Sequence, residues 1–557
     1  MNRYIFILFF TSLFAQVEYS NYLNLRYGDG ENDYSYDEIY FDVGITLNQP
    51  EYRLEALFNL EFSNPPEIGL KEEGINDFLF GYYNENFSVE FGNFYETWGR
   101  GLILNQVDYQ HLDFDTGAST GGLNLEYSKD DLSLSIIAGQ IEPRKSTTLL
   151  GNYNPRIPNY LLKQDIYGSD LTLSSSDLIM GFSLLFTDQP DNDISSRIGG
   201  MRFEKPYNKG DLFLSFIHKT SERKGTENNL ETDKGNGIYL SNVNYINDWA
   251  ITSNYRRYRI DIKDPSERDD IVNNYAQALD IQRSPTAYYQ HSFKLLSRNS
   301  KQANLNDEVG LELELTGSLG DNKSLLVSYS KSSSTKGWHN DEFGAWNAEP
   351  LTTTGGNSNS LFPSSDKDSY PFDELFIELN GYNKSGNIFY RVGFDYLSDT
   401  FAVLTNSDTS ESFEVNKAIT FPSMVNITLN DLWSIEMQLE LQHAKKGFEL
   451  TNNGESSFTS LLSEKYQKNT FVSFTANYSS KWSLTLANES TNSDEGLSNF
   501  DSNTWNSIAL TYKIESDSTL EVFYGSIRGG LDCTNGVCRY IQPFENGLRI
   551  DYNVSFN

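Results

Sequence analysis

Long hydrophobic runs are missing from this 557-residue chain. After the first sixteen residues no apolar stretch approaches the roughly 18 residues that a membrane-crossing helix needs, so helices are excluded as a membrane element. Cysteine is nearly absent: two residues cannot staple a disulfide-rich scaffold. Basic residues are also few, with 43 Lys and Arg against 77 Asp and Glu and a formal charge of -34. Such a surface repels phosphate backbones, and no nucleic acid is expected as a partner. The five histidines, His111, His218, His291, His339 and His443, lie far apart and show no metal-ligand spacing. No phosphate-binding Gly loop, haem motif, zinc cluster or nucleophile elbow occurs. The expectation is therefore no enzyme, no cofactor and no metal. No repeat of fixed length is visible, which argues against propellers and solenoids.

What the chain does have is aromatic residues, 35 Tyr and 36 Phe, and segments in which apolar and polar residues alternate. Ile435 to Gln442 places Ile435, Met437, Leu439 and Leu441 on one face and Glu436, Gln438, Glu440 and Gln442 on the other. Val309 to Thr316, Leu54 to Phe62 and Ile39 to Leu47 repeat the pattern. Strand side chains point alternately to opposite sides, so one face meets an apolar medium and the other meets water.

Short polar turns punctuate these strands at Asn48-Gln49-Pro50, Asn84-Glu85-Asn86, Lys129-Asp130-Asp131, Ser175-Ser176-Asp177, Asn208-Lys209-Gly210 and Asn247-Asp248. They continue at Gly320-Asp321-Asn322, Lys384-Ser385-Gly386, Asn430-Asp431, Ser479-Ser480-Lys481 and Glu515-Ser516-Asp517. Longer irregular segments separate them. Short turns at one end and long loops at the other are the layout of an outer-membrane barrel. Eleven short turns plus a first and a last strand give an all-β, antiparallel transmembrane barrel of about 24 strands (range roughly 22–26), with both termini on the short-turn, periplasmic side.

Met1-Asn2-Arg3 and the apolar run Tyr4 to Phe10 read as a secretory signal cleaved after Ala15. Residues 1–15 are then the signal peptide and 16–557 a single barrel. Strand-like alternation begins at Val17, leaving no room for a globular plug before the first strand.

Cys533-Thr534-Asn535-Gly536-Val537-Cys538 has Asn-Gly at the centre of a two-residue hairpin turn. Thr534 and Val537 would close it and Cys533 would face Cys538 at disulfide distance. An exported protein meets an oxidising compartment, so a structural disulfide is expected.

Three loops stand out. Lys331–Asp373 is long and carries Trp338, Trp346, Phe362 and Tyr370, which suits a lumen plug or a lid. Asp264–Ser284 starts like a capped helix, with Pro265 in its first turn and Ile271, Tyr275 and Leu279 following. Glu142–Gln164 contains Pro143, Pro155 and Pro158 and is expected to be irregular.

The string Gly92-Asn93-Phe94-Tyr95-Glu96-Thr97-Trp98-Gly99-Arg100-Gly101-Leu102-Ile103-Leu104, together with Gly529 to Cys533 and Cys538-Arg539-Tyr540, is the most distinctive in the chain. It resembles an uncharacterised Bacteroidetes-type family of outer-membrane barrels, in which an aromatic-Tyr-Glu segment runs into Gly-Arg-Gly-Leu. The resemblance implies a barrel and a location, and implies no cargo. Its glycines suit a bend or a close approach, and Glu96 and Arg100 are expected to pair inside the lumen.

The end of the chain, Ile550, Tyr552, Val554 and Phe556 on one face, resembles the terminal strand recognised by the barrel assembly machinery. Lumen-facing Glu312, Glu314, Glu436 and Glu440 are candidates for an acidic lining. Arg53, Arg391 and the Arg256-Arg257-Tyr258-Arg259 cluster stand ready to balance them. The functional expectation is a channel in outer-membrane lipid for small polar solutes, open or loop-gated. A surface-binding, adhesin-like barrel is the alternative, and a hydrolase mounted in the barrel wall a third. An open channel requires a charge-lined lumen; a binding protein requires a sealed lumen and aromatics on ordered loops.

Overall fold

The computed structural model describes residues 17–556 except 32–33, 68–72, 107, 110–113, 116–120, 142–163, 190–192, 225–229, 261–281, 283–284, 286–287, 300, 302–306, 336, 341–345, 350–360, 408–409, 453–454, 461–464, 494–502, 535–536 and 542. The first expected signal residues, the expected helix up to residue 281 and the proline-rich loop therefore fall outside the described part.

Alternation becomes a closed antiparallel wall of 24 strands. In chain order they are β1 (Val17–Asp29), β2 (Ser35–Asn48), β3 (Tyr52–Ser63), β4 (Glu73–Asn84), β5 (Phe87–Gly92), β6 (Gly122–Lys129), β7 (Leu132–Ile141) and β8 (Gln164–Ser175). Next come β9 (Leu178–Gln189), β10 (Ile194–Tyr207), β11 (Gly210–Lys224), β12 (Leu230–Ile246), β13 (Trp249–Arg259), β14 (Asp307–Ser318), β15 (Lys323–Ser333) and β16 (Phe372–Tyr382). The last eight are β17 (Ile388–Ser407), β18 (Ser410–Thr428), β19 (Trp433–Asn452), β20 (Gln467–Tyr478), β21 (Trp482–Thr491), β22 (Thr504–Glu515), β23 (Ser518–Ile527) and β24 (Phe544–Phe556). A short strand, Glu455–Ser460, pairs with the far end of β19 above β20 and occupies the same wall position.

Each strand pairs with its chain neighbour, and β24 returns to β1 with Asn21 opposite Phe556 and Asp29 opposite Leu548. Closure is required in lipid, where an open edge would leave backbone groups unpaired in hydrocarbon. All eleven short turns fall where the polar clusters put them. Val17 pairs with Leu47 beside the first of these turns, so both termini lie at the short-turn end.

Sidedness is read from register. Leu313, Met437, Leu439, Leu441, Val472 and Leu486 are exposed and point outward; their neighbours Glu312, Gln438, Glu440 and Asn469 point inward. Beside the short turns the outward face carries aromatic pairs: Trp482–Tyr512 at 4.0 Å and Tyr52–Tyr82 at 5.9 Å are stacked, and Trp433–Tyr478 at 4.8 Å is tilted. Amphipathic rings at that level form an interfacial girdle. A closed wall with an apolar outer belt and this girdle places the chain in the bacterial outer membrane. Ile550, Tyr552, Val554 and Phe556 lie on the same outward face of β24, opposite Tyr27, Leu25, Leu23 and Asn21 of β1.

Wall height varies. Strands β17 and β19 run for 20 residues, about twice the 9–11 that a bilayer needs, and stand beyond the membrane at the long-loop end. Strand β5 has only 6 residues. It ends at Gly92, where φ is +124° and a side chain would collide with the carbonyl of Phe78. There the chain leaves the wall and turns into the barrel.

Candidate functional site in the barrel lumen

Two segments fold inward from the long-loop end. The first is residues 93–106, the Gly-Arg-Gly-Leu motif itself. Asn93 is fixed to the wall by its amide on the Phe78 carbonyl at 2.7 Å. Gly99, Arg100 and Gly101 all have positive φ, at 63°, 54° and 90°. Three successive left-handed residues are costly for side chains other than glycine's, which explains glycine at two of the three. The tight turn delivers Leu102, Ile103 and Leu104 into a cluster with Phe94 and Trp98. The opposing surface consists of inward residues of β7 to β12: Ile137, Ile166, Leu185, Ile198, Phe213, Ile217 and Tyr239. Each buried apolar side chain contributes on the order of 1.5–3 kcal/mol. Two wall glycines make room: a Cβ on Gly168 would lie 2.7 Å from the Trp98 ring, and one on Gly200 would strike Ile103.

Glu96 and Arg100 do not pair. The turn sends them apart: the Arg100 guanidinium sits 3.9 Å over the Phe213 ring, while Glu96 accepts from Asn124 at 3.0 Å. Asn124 also donates to Glu90 at 3.2 Å, and Ser88 donates to Glu126 at 3.2 Å. Burial first, and then the charge of Glu126, push the Glu96 carboxyl up to about 7.

The second segment, the described residues among 282–301, lies between β13 and β14 in the chain and runs along the inner face of the wall from β13 to β21. Its one-turn helix α1 (Lys294–Ser297) is held at its start by Glu440 of β19, which accepts from the amides of Lys294 and Leu295, each at 2.8 Å. A carboxylate at a helix start satisfies otherwise orphan donors. Asn299 donates to Gln442 at 3.1 Å and accepts from Asn416 at 3.1 Å. Arg298 reaches Glu489 of β21 and the carbonyls of Arg528 and Gly529. Arg256 pairs with Glu308 and donates to the Pro285 carbonyl at 2.8 Å. Phe293, Leu296 and Phe376 form a small apolar cluster. The segments meet where the buried Gln282 amide donates to the Leu102 carbonyl at 3.3 Å.

These contacts redistribute the expected acidic lining. Glu312 is buried and accepts from Asn254 at 2.9 Å, and Glu440 is consumed by α1. Glu314 accepts from Thr316 at 3.3 Å and Glu436 from Asn426 at 3.4 Å, both half-buried. Arg391 is paired with Glu378 at 2.7 Å and Arg53 with Glu55 at 3.5 Å. The first segment also touches β4, where Asn93 donates to Asp77 and Leu79 packs against the apolar cluster; among the described residues neither segment covers the sector from β23 through β1 to β3. Its inward face carries Glu521, Asp551, Asn24, Asp42 and Asn59; Arg26 reaches Asp551 at 3.8 Å, and both Arg26 and Arg549 pair with Glu67.

The described part of Lys331–Asp373 lies outside the lumen. Lys331 donates to Ser365 at 2.6 Å, Tyr255 to the Leu361 carbonyl at 2.9 Å, and Tyr329 to Asp373 at 3.2 Å. Those strand residues face outward, so this stretch clasps the outer rim, and Leu361 and Phe362 stay exposed. Cys533 and Cys538 sit directly opposite on the ribbon formed by Gly530–Thr534 and Val537–Ile541, with Thr534 facing Val537. Their side chains lie outside the described part, and with them the expected disulfide.

The model of a family of unknown function (DUF6029) matches residues 15–556. A comparison with curated protein sequences returned no match. Among solved structures, the siderophore receptor PirA from Pseudomonas aeruginosa is 7% identical, with a TM-score of 0.43 over 97% of this chain and 81% of that one. The copper transporter OprC is 10% identical, with a TM-score of 0.45 over 98% and 81%. The P pilus usher (PapC) translocation pore is 10% identical, with a TM-score of 0.41 over 97% and 99%. What those proteins carry is a property of those proteins.

Proposed function

The chain belongs to the family of unknown function (DUF6029), and with no activity to inherit we propose that it is a loop-gated outer-membrane channel for small polar solutes. The observation that carries the proposal is the division of the lumen. A 24-strand ring encloses more space than the 16–18 strands that already leave an aqueous channel. Here two segments occupy two sectors, and the third keeps a polar, net acidic inner face. Solute passes along the third sector, past Glu521, Asp551 and Asp42. The second segment, held through polar groups, is the part that moves; the first, held by an apolar cluster, is the fixed part. The acidic sector favours cations and neutral polar solutes over anions.

Proteoliposome swelling tests this. Vesicles carrying the wild-type barrel should admit small neutral and cationic solutes and exclude larger ones. Removing residues 284–299 should raise the size limit. No swelling with either folded protein would overturn the proposal. That outcome would select the surface-binding reading, which the exposed Leu361 and Phe362 on the rim clasp favour.

A further inference from the structure

We propose that the second lumen segment carries a binding site for one divalent transition-metal ion of the Zn2+ class, formed by His291 with Glu374 of β16 and Asp395 of β17. One donor atom from each of the three lies within 4.8 Å of the others. Among the described residues no other set of three or more His, Cys, Asp or Glu donors comes together in this way.

Three observations carry the site. First, the donors are buried and incompletely partnered. The His291 and Glu374 side chains are 1% and 4% exposed, and Asp395 is equally enclosed. His291 Nε2 lies 2.8 Å from Glu374 Oε1, yet His291 Nδ1, Glu374 Oε2 and Asp395 Oδ1 have no hydrogen-bond partner. Buried polar atoms are normally satisfied, and such orphans ask for an occupant.

Second, among the described residues the charges at the site do not balance. Arg391, the neighbouring cation on β17, is committed to Glu378 and donates to Ser292. Lys301 is committed to Glu308. One imidazolium can neutralise one carboxylate; a divalent ion neutralises both and leaves the imidazole neutral, as a metal ligand must be.

Third, the ring is pre-positioned. His291 stands edge-on to Phe376 at 4.7 Å and to Tyr289 at 5.1 Å. The apolar collar fixes its orientation and shields the site from bulk water.

The donor set decides the ion class. One imidazole nitrogen and two carboxylates suit Zn2+ and its first-row neighbours better than Ca2+ or Mg2+, which take oxygen ligands in greater number. Zn2+ holds its donors about 2.0–2.2 Å away, so donor atoms that lie within 4.8 Å of one another would draw together around it. Such an ion would bridge the inward segment to two adjacent strands and latch that segment in place. The site itself stands whether or not the barrel conducts.

The test uses tag-free, full-length protein refolded in detergent, its folding verified by heat-modifiable migration. After equilibration with Zn2+ and exhaustive dialysis, wild type should retain about one Zn2+ per chain by elemental analysis. Co2+ should give visible absorption bands of a low-coordinate nitrogen–oxygen site, bleached by added Zn2+. His291→Ala and the near-isosteric Asp395→Asn should weaken retention by about tenfold or more, a scale set by the loss of even outer-sphere partners. Equal retention by wild type and both variants would mark the ion as adventitious and overturn the proposal. Absence of both retained Zn2+ and the Co2+ bands in wild type would overturn it without reference to any variant.

Discussion

At the scale of single residues, the lumen is organised by side chains whose partners come from distant parts of the chain. Trp98 fills the space that Gly168 leaves open on β8. Trp98→Ala should cost about 3–5 kcal/mol locally. Hydrogen exchange should then show faster exchange at residues 94–104 and unchanged protection in β8; unchanged exchange in the segment would refute the packing. Glu96 gives a pH dependence. Its carboxyl titrates near 7 in the docked segment and near 4.3 when free in water. Ionisation is therefore disfavoured in the docked state, and docking weakens as pH rises from about 4 through 7. Exchange at residues 94–104 should accelerate between pH 5 and 8 beyond its intrinsic rate, and Glu96→Gln should remove the excess.

Some of this was legible in the sequence. Gly99-Arg100-Gly101 announced a special backbone, and its three left-handed residues explain why two are glycine. Leu102-Ile103-Leu104 carried a second signal: consecutive apolar residues cannot alternate between lipid and water, so they must be surrounded. The pairing of Glu96 with Arg100 failed because the turn between them reverses the chain. The His291, Glu374 and Asp395 cluster was invisible, because its members are brought together only by barrel closure and an inward loop.

At the scale of elements, the strands and short turns follow directly from local chemistry. Period-two alternation sets the faces, and clusters of Asn, Asp, Ser and Gly set the turns. The long connections do not follow, since their course depends on which inner wall they meet. Length and aromatic content pointed to Lys331–Asp373 as the plug. The described part of that loop instead clasps the rim through Lys331, Tyr255 and Tyr329, and the loop before it reaches the lumen through the one-turn helix α1. Glu440 anchors that turn. Glu440→Ala should leave the barrel folded and free the segment, seen as new protease cleavage between residues 285 and 301; wild-type resistance would argue against the anchor. The ribbon at Cys533 and Cys538 gives a simpler prediction. Intact mass and non-reducing peptide mapping of protein from the envelope should show a Cys533–Cys538 crosslink, and two free thiols would contradict it.

At the scale of the whole molecule, 24 strands impose a wide ring, and among the described residues two inward segments occupy part of it. One inward segment rests mainly on apolar contacts and the other mainly on hydrogen bonds and ion pairs, and the proposed gating rests on that difference. The measurement closest to this claim is single-channel conductance in a planar bilayer under a salt gradient, comparing wild type with a chain lacking residues 284–299. Wild type should give small, cation-preferring steps, and the shortened chain steps several-fold larger. Equal steps from both would show that the segment does not fill the lumen, and silence from both folded proteins would show that the barrel is not a channel.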